Sequence, residues 1–245
     1  MARFWMVMTL LVFGAAARPV RAQCDGVASR DTLTWDFDEE RAGGFSVGKV
    51  LEDTFTPQLI LDTRKIRAYV RDPRFRALLE RCGDMRTVDG IYLKALMIGD
   101  GNIGRALFLA LMAVLEHRKV EFRMPIVESL NVPLTFEDDS LFHARVHNLP
   151  SRIYDDTPSD AFGDKDKLQH FFASAYLAYA SEAPDLARTA GNMVEWGEAR
   201  FIVGGADDPR DRRANKHGEA FGRDLLVVKS LLPSDYFTLP YKDEN

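Results

Sequence analysis

Three groups of polar residues, spaced three and four apart, constrain this chain more than anything else in it. They read Asp166-Lys167-x-x-His170-Phe171, then Glu195 and Glu198, then Asp211-x-x-x-Asn215-x-x-Gly218-x-x-x-Gly222. At about 100° per residue such spacings fall on one stripe of an α-helix. Asp166, His170, Ala173 and Leu177 form one stripe, Gly191, Glu195, Glu198 and Ile202 a second, and Asp211, Asn215, Gly218 and Gly222 a third. Each is polar at one end and small or apolar at the other.

The breaks between the stripes set the helix limits. A first helix is expected from about Asp164 to Glu182, with Pro184 and Asp185 opening a second that runs to about Val203. Gly204-Gly205-Ala206-Asp207-Asp208-Pro209 stops that helix and starts a third, with Asp as cap and Pro in the first turn, ending near Leu232 ahead of Pro233. Short connections favour antiparallel neighbours, so the start of the first helix, the end of the second and the start of the third should lie level. His170 and Glu198 are each about 20 Å from the Ala183/Pro184 turn at about 1.5 Å per residue.

The residues gathered there suit two kinds of chemistry. A carboxylate beside His170, with Asp166 one turn away, can orient the imidazole as a base. Glu195, Glu198 and Asp211 add oxygen donors, so that His170, Glu195, Glu198 and Asp211 could hold a divalent metal of the Zn, Mn or Fe type. A metal-assisted hydrolase would then use His170, Asp166, Glu195 and Asp211 as catalytic groups. No G-x-S-x-G nucleophile elbow and no H-E-x-x-H is present. The other reading is a buried hydrogen-bonded network, with Lys167, Asn215, Gly218 and Gly222 fixing how the helices pack.

The order D-K-x-x-H-F, acidic residues in the next helix, then D-x-x-x-N-x-x-G-x-x-x-G resembles the family named after the teicoplanin-resistance protein VanZ. It is similar also to an uncharacterised family of small bacterial periplasmic lipoproteins with a D-K-x-x-H-F helix. The resemblance covers about residues 164–226 and implies a helical module with a shared polar site. VanZ-like proteins span the membrane, whereas no segment here after the N-terminus reaches the roughly 18 apolar residues a span needs. Phe171 to Ala180, the best candidate, is short and flanked by charge.

Export is read from the N-terminus. Met1-Ala2-Arg3 is basic, Phe4 to Ala17 is apolar, and Val20-Arg21-Ala22 offers small residues for cleavage, so residues 1–22 are expected to be a signal peptide, with an uncleaved anchor as the alternative. The location implied is periplasmic or secreted. Cys24 lacks the small preceding residue of a lipidation site. Cys24 and Cys82, the two cysteines, could form one disulfide in an oxidising space or remain thiols. Loss of Arg3, Arg18 and Arg21 takes the basic residues from 32 to 29 against 37 acids, a net charge of −8. That acidity argues against nucleic acid as a partner and leaves a cell-envelope component or a small molecule, with peripheral membrane association open.

The fold class expected is α+β and predominantly helical: a mixed α/β region over 23–150, a linker over 151–163, the helical module over 164–232 and a tail over 233–245. Leu33, Trp35 and Phe37 alternate as a strand would, as do Val120, Phe122 and Met124, and Phe142, Ala144 and Val146. The last of these would put His143, Arg145 and His147 on one face. Asp72-Pro73 opens a short helix through Phe75, Leu78, Leu79 and Cys82 that stops at Gly83, and Arg105 to His117 is an apolar helix. His117 and His217 read as structural or exposed.

Gly99-Asp100-Gly101-Asn102-Ile103-Gly104 fits G-x-G-x-x-G, precedes a helix and has Glu121 at about the spacing of a dinucleotide fingerprint. A Gly-rich turn between two helices explains it as well, and the strand-helix alternation of a doubly wound sheet is missing. Dinucleotide binding is therefore a remote alternative. The main expectation is an exported envelope protein with a binding or scaffolding role.

Overall fold

In the computed structural model of the chain, the described residues are 35, 57–122, 130–133, 135, 137–182 and 208–241. Here the protein is predominantly helical. Helix α1 spans Gln58–Arg71 and α2 spans Pro73–Ile98. Asp72 separates them because its carboxylate caps α2, accepting from Arg74 N at 2.7 Å, while Pro73 occupies the first helical position. The stop expected at Gly83 appears as a break inside α2: Gly83 has φ 79° and ψ 175°, a conformation open in practice only to glycine. Thr87 Oγ1 donates to the Gly83 carbonyl at 2.8 Å and restarts the helix.

Helix α3, Ile103–Val114, follows a turn in which Asp100 and Gly101 both have positive φ and Asn102 caps the Arg105 amide at 2.9 Å. The glycine-rich motif therefore joins two helices. The strand that a dinucleotide fingerprint requires is absent, since residues 95–98 are the end of α2, and that reading is corrected. The mixed α/β expectation for 23–150 is corrected as well. Its described part is helical except for a short antiparallel ribbon of β1, Lys119–Phe122, with β2, Leu130–Pro133, in the register Val120 opposite Val132.

The strand expected at Phe142 to Val146 is helix α4, Asp139–Asn148. Asp138 caps it, accepting from Leu141 N at 2.8 Å, and Arg145 and His147 lie in its last turn, where cations complement the helix dipole. Phe142 and Arg145, three apart, are the buried residues of the helix, while His143 and His147 are exposed. The expected His143/Arg145/His147 face does not exist, because a one-turn spacing replaces the period of two. Of the Leu33–Phe37 strand candidate only Trp35 is described; it lies in no strand and packs against Tyr69 with ring centroids 4.7 Å apart and the rings tilted by 34°. The signal peptide and Cys24 lie outside the described residues.

Helix α5 spans Lys165–Glu182 and α6 spans Pro209–Asp224, capped by Asp208 as the Asp-Asp-Pro sequence implies. The expected continuation of α6 to Leu232 is corrected: the chain leaves the helix at Asp224, whose carbonyl accepts from both Val227 and Val228 amides. A single turn, α7, Ser234–Phe237, then packs back, its first amide and hydroxyl donating to Asp89 of α2 at 2.9 and 2.7 Å.

One hydrophobic cluster joins these parts. Tyr69, Phe75, Ile91 and Leu107 of α1 to α3 share it with Leu168, Phe171, Phe172, Phe221 and Phe237 of the C-terminal elements. The segments assigned to separate regions thus bury their apolar faces against each other. Residues 151–163, expected as a linker, also belong to the packed structure: Ile153 and Tyr154 are buried and their amides donate to the carboxylate of Asp164.

The most extensive helix contact is between α5 and α6. A Cβ at Gly218 would overlap the Phe171 carbonyl oxygen and one at Gly222 that of Ala175, each also standing 3.0 Å from the carbonyl carbon. Backbone thus meets backbone, one turn apart along both helices. Gly222→Ala is expected to force the helices apart and cost about 1–3 kcal/mol or more, read as a lower melting temperature. Ala220→Gly on the same helix, which adds no atom, should cost about 1 kcal/mol at most.

Cys82 is disulfide-bonded and no described cysteine is free; the chain's other cysteine is Cys24. Thiol titration of the unreduced protein should find no free thiol. A reductant should lower its melting temperature, with a loss of up to about 4 kcal/mol of stability.

Candidate functional site

The site is built where the first turns of α5 and α6 meet. Lys167 is 2 % exposed, and its Nζ lies 2.6 Å from Asp166 Oδ2, 3.0 Å from Asp208 Oδ2 and 2.6 Å from Asp211 Oδ1. Burial alone would lower the pKa of this ammonium, but the hydrogen bonds it donates to Asp166, Asp211 and Asp208 hold it above the ordinary lysine value. Asp208 serves twice, since it also caps α6 through the Arg210 amide. Although burial pushes its pKa up, that amide and Lys167 hold it below the ordinary carboxylate range.

His170, half-buried, places Nε2 3.4 Å from Asp211 Oδ1. The imidazole's carboxylate neighbour is therefore Asp211 on the facing helix, and Asp166, its expected partner one turn back, is turned to Lys167. One turn further along, Asn215 Oδ1 accepts from Ser174 Oγ at 2.9 Å, and the Gly218 and Gly222 contacts follow. The structure thus brings Asp166, Lys167, His170, Asp211, Asn215, Gly218 and Gly222 onto one seam, in the order that the helical stripes anticipate. Glu195 and Glu198 lie outside the described residues, as does the helix expected over 185–203.

Four contributors were not among the expected site residues. Asp164, fully buried, ties the preceding loop to α6: it accepts from the Ile153 and Tyr154 amides, from Thr157, and from Arg210 at 2.6 Å. Asp208 read only as a cap. Ser174 falls in an apolar stretch. Glu116, just past α3, is buried, and its Oε1 accepts from Gln169 Nε2 at 3.4 Å.

Glu116 is delivered by a second buried polar group. The last carbonyls of α3 have no helical partners, and arginines supply them: Arg67 Nε donates to Met112 O at 2.9 Å, and Arg145 donates to Ala113 O and Leu115 O at 2.8 and 2.7 Å. Arg145 is fully buried and pairs with Glu137 at 2.9 Å, which also binds Arg71. Burial lowers the Arg67 pKa to about 10, and Glu137, despite its own burial, is held below the usual carboxylate range by Arg145, Arg67 and Arg71. The chain leaving α3 is thereby fixed at Leu115, one residue before the site.

His217, expected as structural or exposed, is buried; its Nδ1 lies 3.2 Å from the Tyr154 hydroxyl, away from the Asp211/Asn215 stripe. His117 is exposed at 62 % and lies 3.6 Å from Glu116 Oε1.

Among the described residues no three His, Cys, Asp or Glu side chains converge as metal ligands do. The centre of the carboxylates is held by Lys167. Chemically the arrangement can neutralise acidic groups with an internal ammonium and hold a half-exposed imidazole against a carboxylate. No protein-family model, curated protein or solved structure matches the chain.

Lys167→Met would leave three carboxylates facing one another without their shared cation. We expect it to destabilise the protein by about 3 kcal/mol, the lower end for breaking a buried ion pair because the aspartates keep some solvent contact. Denaturant unfolding of the parent and variant checks this.

Proposed function

We propose that the protein is exported to the periplasm or secreted, and that it binds or scaffolds a cell-envelope component or small molecule through its C-terminal helical module. The observation that carries this reading is Lys167: a buried ammonium bonded to Asp166, Asp208 and Asp211 makes the polar seam an internally neutralised network. Such a network fixes the pairing of two helices and presents their half-buried rim, with His170, as a rigid surface. The resemblance of residues 164–226 to VanZ-like proteins supports an envelope role, as does the signal-like N-terminus. No described helix is long and apolar enough to cross a membrane, so association with the bilayer, where it occurs, would be peripheral for this part of the chain.

A second reading rests on the contact between His170 Nε2 and Asp211 Oδ1 at 3.4 Å, half-buried and open to an oriented-base role in a hydrolase. A divalent metal there would have to share Asp211 with Lys167, which holds it at 2.6 Å.

The test is the metal content of the mature protein, purified without chelator, with the melting temperatures of His170→Ala and Asp211→Ala. The network reading expects no stoichiometric metal, a fall in melting temperature for Asp211→Ala, and a smaller one for His170→Ala. Near-stoichiometric metal that both variants lose, with folding intact, would overturn it in favour of the hydrolase.

A further inference from the structure

The network leaves Glu116, at the edge of the acidic seam, incomplete. Glu116 is 3 % exposed at its side chain, and its two oxygens differ. Oε1 accepts from Gln169 Nε2 at 3.4 Å, and His117 Nε2 lies 3.6 Å from it. Oε2 is buried with no hydrogen-bond partner, and so is Oδ1 of Asp166. Each is a buried acceptor short of a donor, and leaving such groups unsatisfied costs free energy.

Charge points the same way. Among the described residues, the charged groups that act on Glu116 include Asp166, Lys165 and Lys167 from α5 and Asp211 from α6, with His117 beside it on its own segment. Lys167 is already engaged by three aspartates. Lys165 is itself buried, which lowers its pKa. An ionised Glu116 would add another negative charge to a cluster whose central cation is committed.

We propose that Glu116 occupies this site as a neutral carboxylic acid, protonated on Oε2, so that the site binds a proton and loses it as pH rises. This deepens the network reading and rests on it: the proton removes a charge that burial and the neighbouring aspartate oppose, and Arg145 and Arg67, by holding the α3 carbonyls, keep the acid in place. Burial, followed by the Asp166 charge, raises the Glu116 pKa to about 7, consistent with the geometry. An acid whose folded pKa lies above its unfolded value stabilises the fold below the unfolded value, and that contribution is lost as pH rises through the folded one. The window therefore runs from the ordinary glutamate value of 4.5 to about 7, and the site would respond to acidity outside the cell membrane.

The test is a carbon-13 NMR titration of the Glu116 carboxyl in the metal-free, full mature protein, repeated with Asp166→Asn, beside thermal melts of Glu116→Gln across the same pH range. The expected result is a midpoint more than one pH unit above the ordinary glutamate range that falls in Asp166→Asn. Glu116→Gln, which keeps a neutral donor, should melt at or above the parent at high pH and lose its share of the pH dependence. A midpoint in the ordinary range would overturn the proposal, as would magnesium or zinc chloride moving the Glu116 resonance at equimolar concentration. Because the titration reads the parent directly, it does not depend on any variant folding. An ordinary midpoint in a metal-free protein sinks this inference alone, whereas stoichiometric metal lost from His170→Ala sinks the network reading itself.

Discussion

The direct contact of the α5 and α6 backbones is the constraint on which the rest of the structure depends. Gly218 and Gly222 leave no side chain between α6 and the carbonyls of Phe171 and Ala175, and this closeness places the first turns of the two helices within hydrogen-bonding distance. A wider separation would put Lys167 out of reach of Asp208 and Asp211, and Ser174 out of reach of Asn215. The glycines lower helix propensity by about 1 kcal/mol each. That cost is offset by the packing and ion pairing they permit.

From this seam the polar structure extends in two directions. Asp164 reaches back to fasten the loop at Ile153 and Tyr154 and forward to Arg210, so the loop, α5 and α6 share one carboxylate. On the other side, Glu116 enters from the end of α3, where Arg67 and Arg145 satisfy the last carbonyls. Buried charges are costly unless paired, and here Asp164 is tied to Arg210 and Arg145 to Glu137. Helix ends, which always leave backbone groups unsatisfied, are the places where those partners gather.

The stripe on α6 was legible because helical periodicity is local: Asp211, Asn215, Gly218 and Gly222 share a face whatever they pack against. The starts of α2 and α6 were legible from Asp-Pro, and the break at Gly83 from the glycine. Period two misled at Phe142 to Val146, where alternating residues satisfy a helix equally well once Asp138 caps it and Arg145 finds Glu137. The end of α6 was placed too late because Leu225 to Leu232 looks like an apolar helical face, while the chain there turns so that α7 can reach Asp89.

By itself, then, the sequence determined which residues share a helical face, where prolines, caps and glycines interrupt the helices, and that acidic groups outnumber basic ones. Those are consequences of bond geometry and composition within a few residues. Only the tertiary structure decided that Asp211 rather than Asp166 faces His170, that Lys167 is the cation the aspartates share, and that Glu116 joins them from a distant segment. A side chain's partner and its charge state depend on what lies across the interface and on how much water is left there, and neither is encoded in local spacing.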